Sequence, residues 1–184
     1  MNSKVDWEEV FKHASEGQLH KIDKGIYIRN YSSLNRIAID HSVPKARVGG
    51  VAKLLIGPTG TGKSHLAFQE AGDSVYIKNP NTKWWDGYRG EEKVIIDEFC
   101  GRIDISYLLL WLDKYPCPAE KKCFNTCLNA KYFWITSNLT VEEWYPDARP
   151  VHIAALKRRI KVTKRMMQRY IGEVDEEVVD LTQS

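Results

Sequence analysis

Gly57-Pro58-Thr59-Gly60-Thr61-Gly62-Lys63-Ser64 follows the spacing G-x-x-x-x-G-K-[ST], the signature of a loop that wraps phosphate. Its flanks agree with that reading. Residues 52–56 form a short apolar run that reads as a strand, and residues 63–71 carry helical periodicity. Strand, glycine loop and helix in this order aim backbone amides and the positive end of a helix dipole at one anion. Gly57, Pro58, Thr59, Gly60, Thr61 and Gly62 supply the cradle. Lys63 is placed to reach β- and γ-phosphates, and the Ser64 hydroxyl to ligate Mg²⁺. A glycine-rich turn with no nucleotide is the bland alternative, and it leaves the strand and helix on either side unexplained.

Further along, Lys93-Val94-Ile95-Ile96-Asp97-Glu98-Phe99 is an apolar strand that ends in two carboxylates. In the presence of the loop it reads as the metal and water strand of the same site. Asp97 is expected to hold the metal, and Glu98 to orient or deprotonate an attacking water. A third strand, Tyr132-Phe133-Trp134-Ile135-Thr136, runs into Ser137-Asn138 and delivers a neutral amide to the same sheet edge, where Asn138 can sense a γ-phosphate. With a further β-rich run at residues 74–77 and helical stretches at 105–112, 140–144 and 151–160, strands and helices alternate. Such alternation implies an α/β fold with a mainly parallel sheet covered by helices, a P-loop NTPase.

Residues 1–50 read differently. Asp6 with Glu9 has the form of a capping box, Trp7, Val10, Phe11 and Ala14 recur at helical spacing, and a second helix is expected after Ser32 or Ser33. Pro44 and Gly49-Gly50 mark a connector. The expected organisation is a helical unit with linker at 1–50, the nucleotide domain at 51–160 and a tail at 161–184. The chain is basic from Lys157, at the end of the nucleotide domain, through Arg169 in the tail, with no acid in that stretch, then acidic at Glu173, Asp175, Glu176, Glu177 and Asp180. Net charge of +3 is too small to signal nucleic acid by itself. No apolar run is long enough to span a bilayer, and no secretory signal precedes residue 50, so an intracellular protein without membrane contact is expected. Cys100, Cys117, Cys123 and Cys127 fall in no CxxC pair and read as reduced thiols. Arg158 and Arg159, at the end of an expected helix, are candidates for offsetting transition-state charge at a neighbouring copy's nucleotide, although basic residues also suit a helix C-terminus for its dipole alone.

With these motifs in place the chain resembles the helicase domain of replication-initiator (Rep) proteins of circular single-stranded DNA viruses, within superfamily 3. The resemblance spans about 27–160: Ile28-Arg29-Asn30-Tyr31, the phosphate loop, Lys83-Trp84-Trp85-Asp86-Gly87-Tyr88, Asp97-Glu98, Ile135-Thr136-Ser137-Asn138 and Arg158-Arg159-Ile160. It implies an AAA+-like ATPase using ATP and Mg²⁺ that moves 3′-to-5′ along single-stranded DNA during rolling-circle replication in a host nucleus. It also implies a homo-oligomeric ring, usually a hexamer, collared by residues 1–50. Between the second and third motifs the family carries a β-hairpin that grips DNA, here near residues 120–131. Lys122 and Lys131, with Lys121, are then the expected backbone contacts. The family's hairpin turn has glycines where this chain has Cys123-Phe124. Full-length initiators also carry a nicking domain with His-hydrophobe-His and Tyr-x-x-Lys motifs, and neither occurs here. The chain therefore reads as the helicase portion of a longer initiator and is not expected to cut DNA. Two other classes share the phosphate loop: a nucleotide or small-molecule kinase, and an assembly ATPase that resets an oligomer without unwinding.

Overall fold

The computed structural model describes residues 5–43, 45–122 and 125–167. Pro44, the hairpin-turn pair Cys123-Phe124 and the run from residue 168 onward, with Arg169 and the acidic part of the tail, lie outside the described residues.

A five-stranded, wholly parallel sheet forms the centre. Its strands are β1 (Val51–Ile56), β2 (Val75–Ile77), β3 (Lys93–Ile96), β6 (Tyr132–Ser137) and β7 (Ile160–Arg165), in the spatial order β2-β3-β6-β1-β7. Between β3 and β6 lies a separate antiparallel hairpin of β4 (Pro118–Glu120) and β5 (Asn125–Cys127). Because consecutive strand residues point to opposite faces, the sheet feeds two cores. Leu54, Ile56, Val94, Ile96, Phe133 and Ile135 go to one face, where α5 (Ile105–Trp111), α6 (Val141–Trp144) and α7 (Pro150–Arg159) bring Leu108, Trp111, Val141, Trp144 and Leu156. Leu55, Ile95 and Trp134 go to the other, against Leu66, Ala67 and Ala71 of α4 (Lys63–Ala71). Burial on both faces makes these strands continuously apolar rather than alternating.

The fifth strand corrects the expected boundary at residue 160. Ile160 to Arg165 pairs with β1, with Thr163 and Lys164 buried, so the first part of the basic stretch is sheet rather than tail. Its charges hide the strand from a reading by composition, because Lys161 and Arg165 occupy the exposed positions.

The N-terminal unit comprises α1 (Trp7–Ser15), a 3₁₀ turn, α2 (Lys24–Arg29) and α3 (Tyr31–Asp40), closed around Val10, Ala14, Ile22 and Leu34. Asp6 caps α1 by accepting from the amides of Glu8 and Glu9, which is the Asp6 half of the expected capping box. Glu9 faces His13 at 3.6 Å. Helix α2 was not expected, since Gly25 breaks up so short an apolar pattern; Asp23 caps it. Of the four residues that recur at helical spacing on α1, Val10 and Ala14 are buried, while Trp7 and Phe11 are 58% and 49% exposed.

The connector is anchored more firmly than its sequence suggests. Arg47 is buried, and its guanidinium donates to the carbonyls of Leu110, Trp111, Tyr115 and Ala130 and contacts the Cys117 sulfur at 3.1 Å. Two of those carbonyls belong to the last turn of α5, which has no intrahelical donor for them. Desolvation pulls the Arg47 pKa down, opposed chiefly by Cys117. Arg47→Met is expected to lower unfolding free energy by about 2–3 kcal/mol, because it strands several buried acceptors. Urea denaturation checks this, and an unchanged midpoint would show the carbonyls satisfied without the arginine.

Candidate functional site

All five central strands point the same way, so the ends of β1, β3 and β6 share one edge of the sheet. Ligands of open α/β sheets bind outside that carboxyl edge. Here β6 lies between β1 and β3, which carries the segment after Thr136 into the gap between the phosphate loop and the two acids. The resulting cavity, about 480 Å³, is lined by Thr59, Gly60, Gly62, Lys63, Ser64, His65, Glu98, Thr136, Ser137 and Asn138.

The loop's shape requires two of its glycines. A Cβ on Gly57 would stand 2.1 Å from the Met166 carbonyl oxygen, where the chain leaving β7 bonds back to Ile56. Gly62 caps α4 in the left-handed region at φ +86°. Thr61 Oγ1 ties the turn to the Pro58 carbonyl at 3.0 Å. Lys63 donates to the carbonyls of Gly57 and Pro58 at 2.8 and 2.7 Å, so its ammonium is held inside the loop. Burial lowers the Lys63 pKa, and Asp97 and Glu98 pull against that shift.

Opposite the loop, Asp97 Oδ1 accepts from Ser64 Oγ at 2.7 Å and from Thr136 Oγ1 at 2.6 Å. Thr136 Oγ1 also accepts from the Glu98 amide at 2.9 Å. One hydroxyl thus fixes both acids. Glu98 holds φ +53°, a region that residues with a Cβ seldom occupy, and this turn at the end of β3 leaves Glu98 lining the cavity. Asn138 Nδ2 donates to Thr59 Oγ1 at 3.2 Å, linking the end of β6 to the loop. Ser137 also lines the cavity, but its hydroxyl is spent on donating to the Phe99 carbonyl and accepting from Trp144 Nε1 and the Leu139 amide. Ser64, Asp97 and the surrounding oxygens form a hard donor set that suits Mg²⁺, an ion that keeps several waters and takes few protein ligands. The residues from Gly57 to Ser64, with Asp97, Glu98 and Asn138, are therefore gathered at one place. Thr136 is the member whose role the sequence did not announce.

Arg158 and Arg159 sit elsewhere. They precede Ile160, which pairs with Ala52 at the start of β1, and so lie at the opposite, amino edge of the sheet. Arg159 is bound to Asp113 Oδ2 at 2.5 Å and to the Ala155 carbonyl, whereas Arg158 is exposed. A cleft of about 560 Å³ there collects both arginines with Arg47, Lys114, Lys131 and Lys161.

The expected DNA contacts divide between two places. Lys121 and Lys122 follow β4 on the hairpin, but Lys131 lies beyond it, beside the start of β6, paired with Glu92 at 2.7 Å. This corrects the grouping of the three lysines, because the hairpin ends at Cys127 and the chain has returned to the amino edge of the sheet by residue 131.

Among the described residues, no helix is long and apolar enough to cross a membrane. The pattern of the RNA helicase family matches residues 54–139, from β1 through the end of β6. The Replication-associated protein of Porcine circovirus 2 is 37% identical over 136 residues, covering 73% of this chain and 43% of that protein. That of Porcine circovirus 1 is 35% identical over 155 residues, covering 83% and 49%. That of Goose circovirus is 40% identical over 107 residues, covering 58% and 36%. The chain spans at most about half the length of these curated relatives. Its phosphate loop, acid pair and Asn-bearing strand all fall within the matched region, and the chain belongs to the superfamily 3 helicase domains of the replication-associated (Rep) proteins of circular single-stranded DNA viruses.

Proposed function

We propose that this domain hydrolyses ATP at the carboxyl edge of its sheet and uses that turnover to move along single-stranded DNA, as a homo-oligomeric ring, in rolling-circle replication. The observation that carries the reading is the convergence of Ser64 and Thr136 on Asp97, with Glu98 and Lys63 lining the same cavity. Lys63 and the loop amides hold the phosphate tail of ATP. Ser64 and Asp97 are the protein groups placed to hold Mg²⁺, which when bound offsets charge on the phosphate oxygens. Glu98 takes the proton of the attacking water, and Asn138, tethered to the loop through Thr59, reports the state of the terminal phosphate. The pairing of Asp97 and Glu98 with an Asn138 tethered to the loop is more than phosphoryl transfer by a nucleotide or small-molecule kinase requires, which favours water as the acceptor.

Arg158 and Arg159 lie too far around the sheet to serve the cavity of their own chain, which supports action on a neighbouring copy. Arg158 is the exposed member of the pair, and Asp113 holds Arg159 beside it. On α1, the exposed Trp7 and Phe11 give residues 1–50 an apolar face suited to burial in a collar. Lys121 and Lys122 put positive charge on the hairpin, where a single-stranded backbone is read through its phosphates.

Phosphate release measured over a range of protein concentrations, with and without an oligo-dT strand, tests this. Turnover per subunit is expected to rise with concentration, as subunits complete one another's sites, and to rise again with the strand. A per-subunit rate that stays flat with concentration and is indifferent to DNA would overturn the motor and the shared site together.

A further inference from the structure

Residues 83–88, Lys83-Trp84-Trp85-Asp86-Gly87-Tyr88, touch the hairpin at point after point and take no part in the nucleotide cavity. The Trp85 amide donates to the Glu120 carbonyl at 2.7 Å, extending β4 sideways. The Lys83 ammonium pairs with the Glu120 carboxylate at 2.8 Å. On the turn side, Asp86 Oδ1 accepts from the Lys122 amide at 3.1 Å, and its other oxygen lies 3.8 Å from the Lys122 ammonium. Lys121 reaches back to donate to the Tyr88 carbonyl at 2.6 Å. On the far side of the hairpin, the Asn129 amide donates to the Tyr88 hydroxyl at 3.0 Å. The end of the first arm is therefore held directly from one short segment, which also holds, at Asn129, the chain that leaves the second arm.

That segment is itself fixed to the sheet. Trp85 and Tyr88 are fully buried and pack edge to face with each other; Trp85 stacks on Tyr76 of β2 and meets Trp111 of α5. The Tyr76 hydroxyl donates to the Asp86 carbonyl at 2.8 Å. The buried Lys78 ammonium lies over both the Trp85 and Trp111 rings, 5.6 and 5.3 Å from their centres. The edge strand β2 in turn pairs with β3, which carries Asp97 and Glu98. A rigid aromatic block thus joins the acid-bearing side of the sheet to the hairpin.

We infer that residues 83–88 are the mount that sets the hairpin's position, and that Asp86 is a positioning residue that presents Lys122 to the nucleic-acid backbone. This rests on the reading of the hairpin as the DNA-contacting element. Asp86 acts through its oxygen on the Lys122 amide rather than through its charge. The Lys122 ammonium, 71% exposed, is only loosely engaged by Asp86 and exchanges that partner for phosphate.

The sign of one substitution separates this from ordinary surface electrostatics. Removing an acid beside two lysines should tighten binding to a polyanion if charge is all that matters. If the mount is what matters, Asp86→Ala weakens binding although it removes a repulsive charge. In contrast, Asp86→Asn retains an oxygen for the Lys122 amide and binds as well as the parent, or better. The measurement is fluorescence anisotropy of a labelled oligo-dT strand titrated with the full chain at several salt concentrations, with melting temperature recorded for each variant. Asp86→Ala is expected to raise Kd about fivefold to tenfold with melting unchanged, and Lys122→Ala to reduce the slope of log K against log salt by about 0.7. If Lys122→Ala leaves affinity and slope unaltered, the hairpin is not the DNA contact and the inference fails with that reading. If Lys122→Ala weakens binding while Asp86→Ala tightens it or leaves it alone, the hairpin reading stands and the mount is overturned.

Discussion

Glu98→Gln is expected to lower ATP turnover by about 10²- to 10⁴-fold while nucleotide binding stays near that of the parent. The amide has the volume and shape of the carboxylate, so the cavity keeps its dimensions. The backbone at residue 98 is held by its amide bond to Thr136 Oγ1, which the substitution does not touch, and the unusual φ of +53° is retained. What is lost is a group able to accept a proton from water. Asp97 does not take over, because its Oδ1 is already engaged by Ser64 and Thr136 on the metal side of the site. Binding of a fluorescent ATP analogue, measured beside phosphate release, separates the two effects. A variant that binds and hydrolyses like the parent would remove Glu98 from the chemistry. One that fails to bind would show that the carboxylate shapes the pocket rather than the reaction.

How much of this was legible in the sequence depends on whether the relevant neighbours are local. The phosphate loop, the acids at the end of β3 and the Asn after β6 were readable because each motif sits on a run of residues whose periodicity names its own strand or helix. Thr136 was quoted as part of its motif, yet its function as the hydroxyl joining Asp97 to the Glu98 amide depends on β6 lying beside β3, a crossover that no local pattern specifies. The same holds for Arg47. In sequence it belongs to a connector, and only the fold, by bringing the end of α5, Tyr115 and Ala130 around one point, turns it into the donor for four carbonyls. β7 was hidden for a different reason: it lies at the edge of the sheet, where a strand tolerates charge, so the run read as a basic tail. The separation of Lys131 from Lys121 and Lys122 likewise follows from where the hairpin ends.

Lys63→Ala should give the opposite signature to Glu98→Gln, losing nucleotide affinity and turnover together, with turnover down about 10²- to 10³-fold, the scale seen when one preorganised donor to a developing anion is removed. In the structure Lys63 is a buried residue whose ammonium is already anchored by the Gly57 and Pro58 carbonyls, so it contributes a charge positioned in advance. Burial pushes its pKa down, and phosphate placed beside it pushes the other way, so ATP binding in alkaline buffer should draw in protons where Lys63 is present and lose that uptake in the alanine variant. Stability should change little, since Lys63 lines the open cavity and the space left by its side chain admits water to the two freed carbonyls. Lys63→Arg should not restore turnover, because a planar guanidinium cannot occupy a site shaped around a compact ammonium at the start of α4. Calorimetric titration with Mg-ATP in buffers of different ionisation enthalpy, together with phosphate release, measures both quantities. Parent-like affinity and rate in Lys63→Ala would mean that the loop amides and the α4 dipole suffice for the phosphate tail, and the lysine's two backbone contacts would then be structural alone.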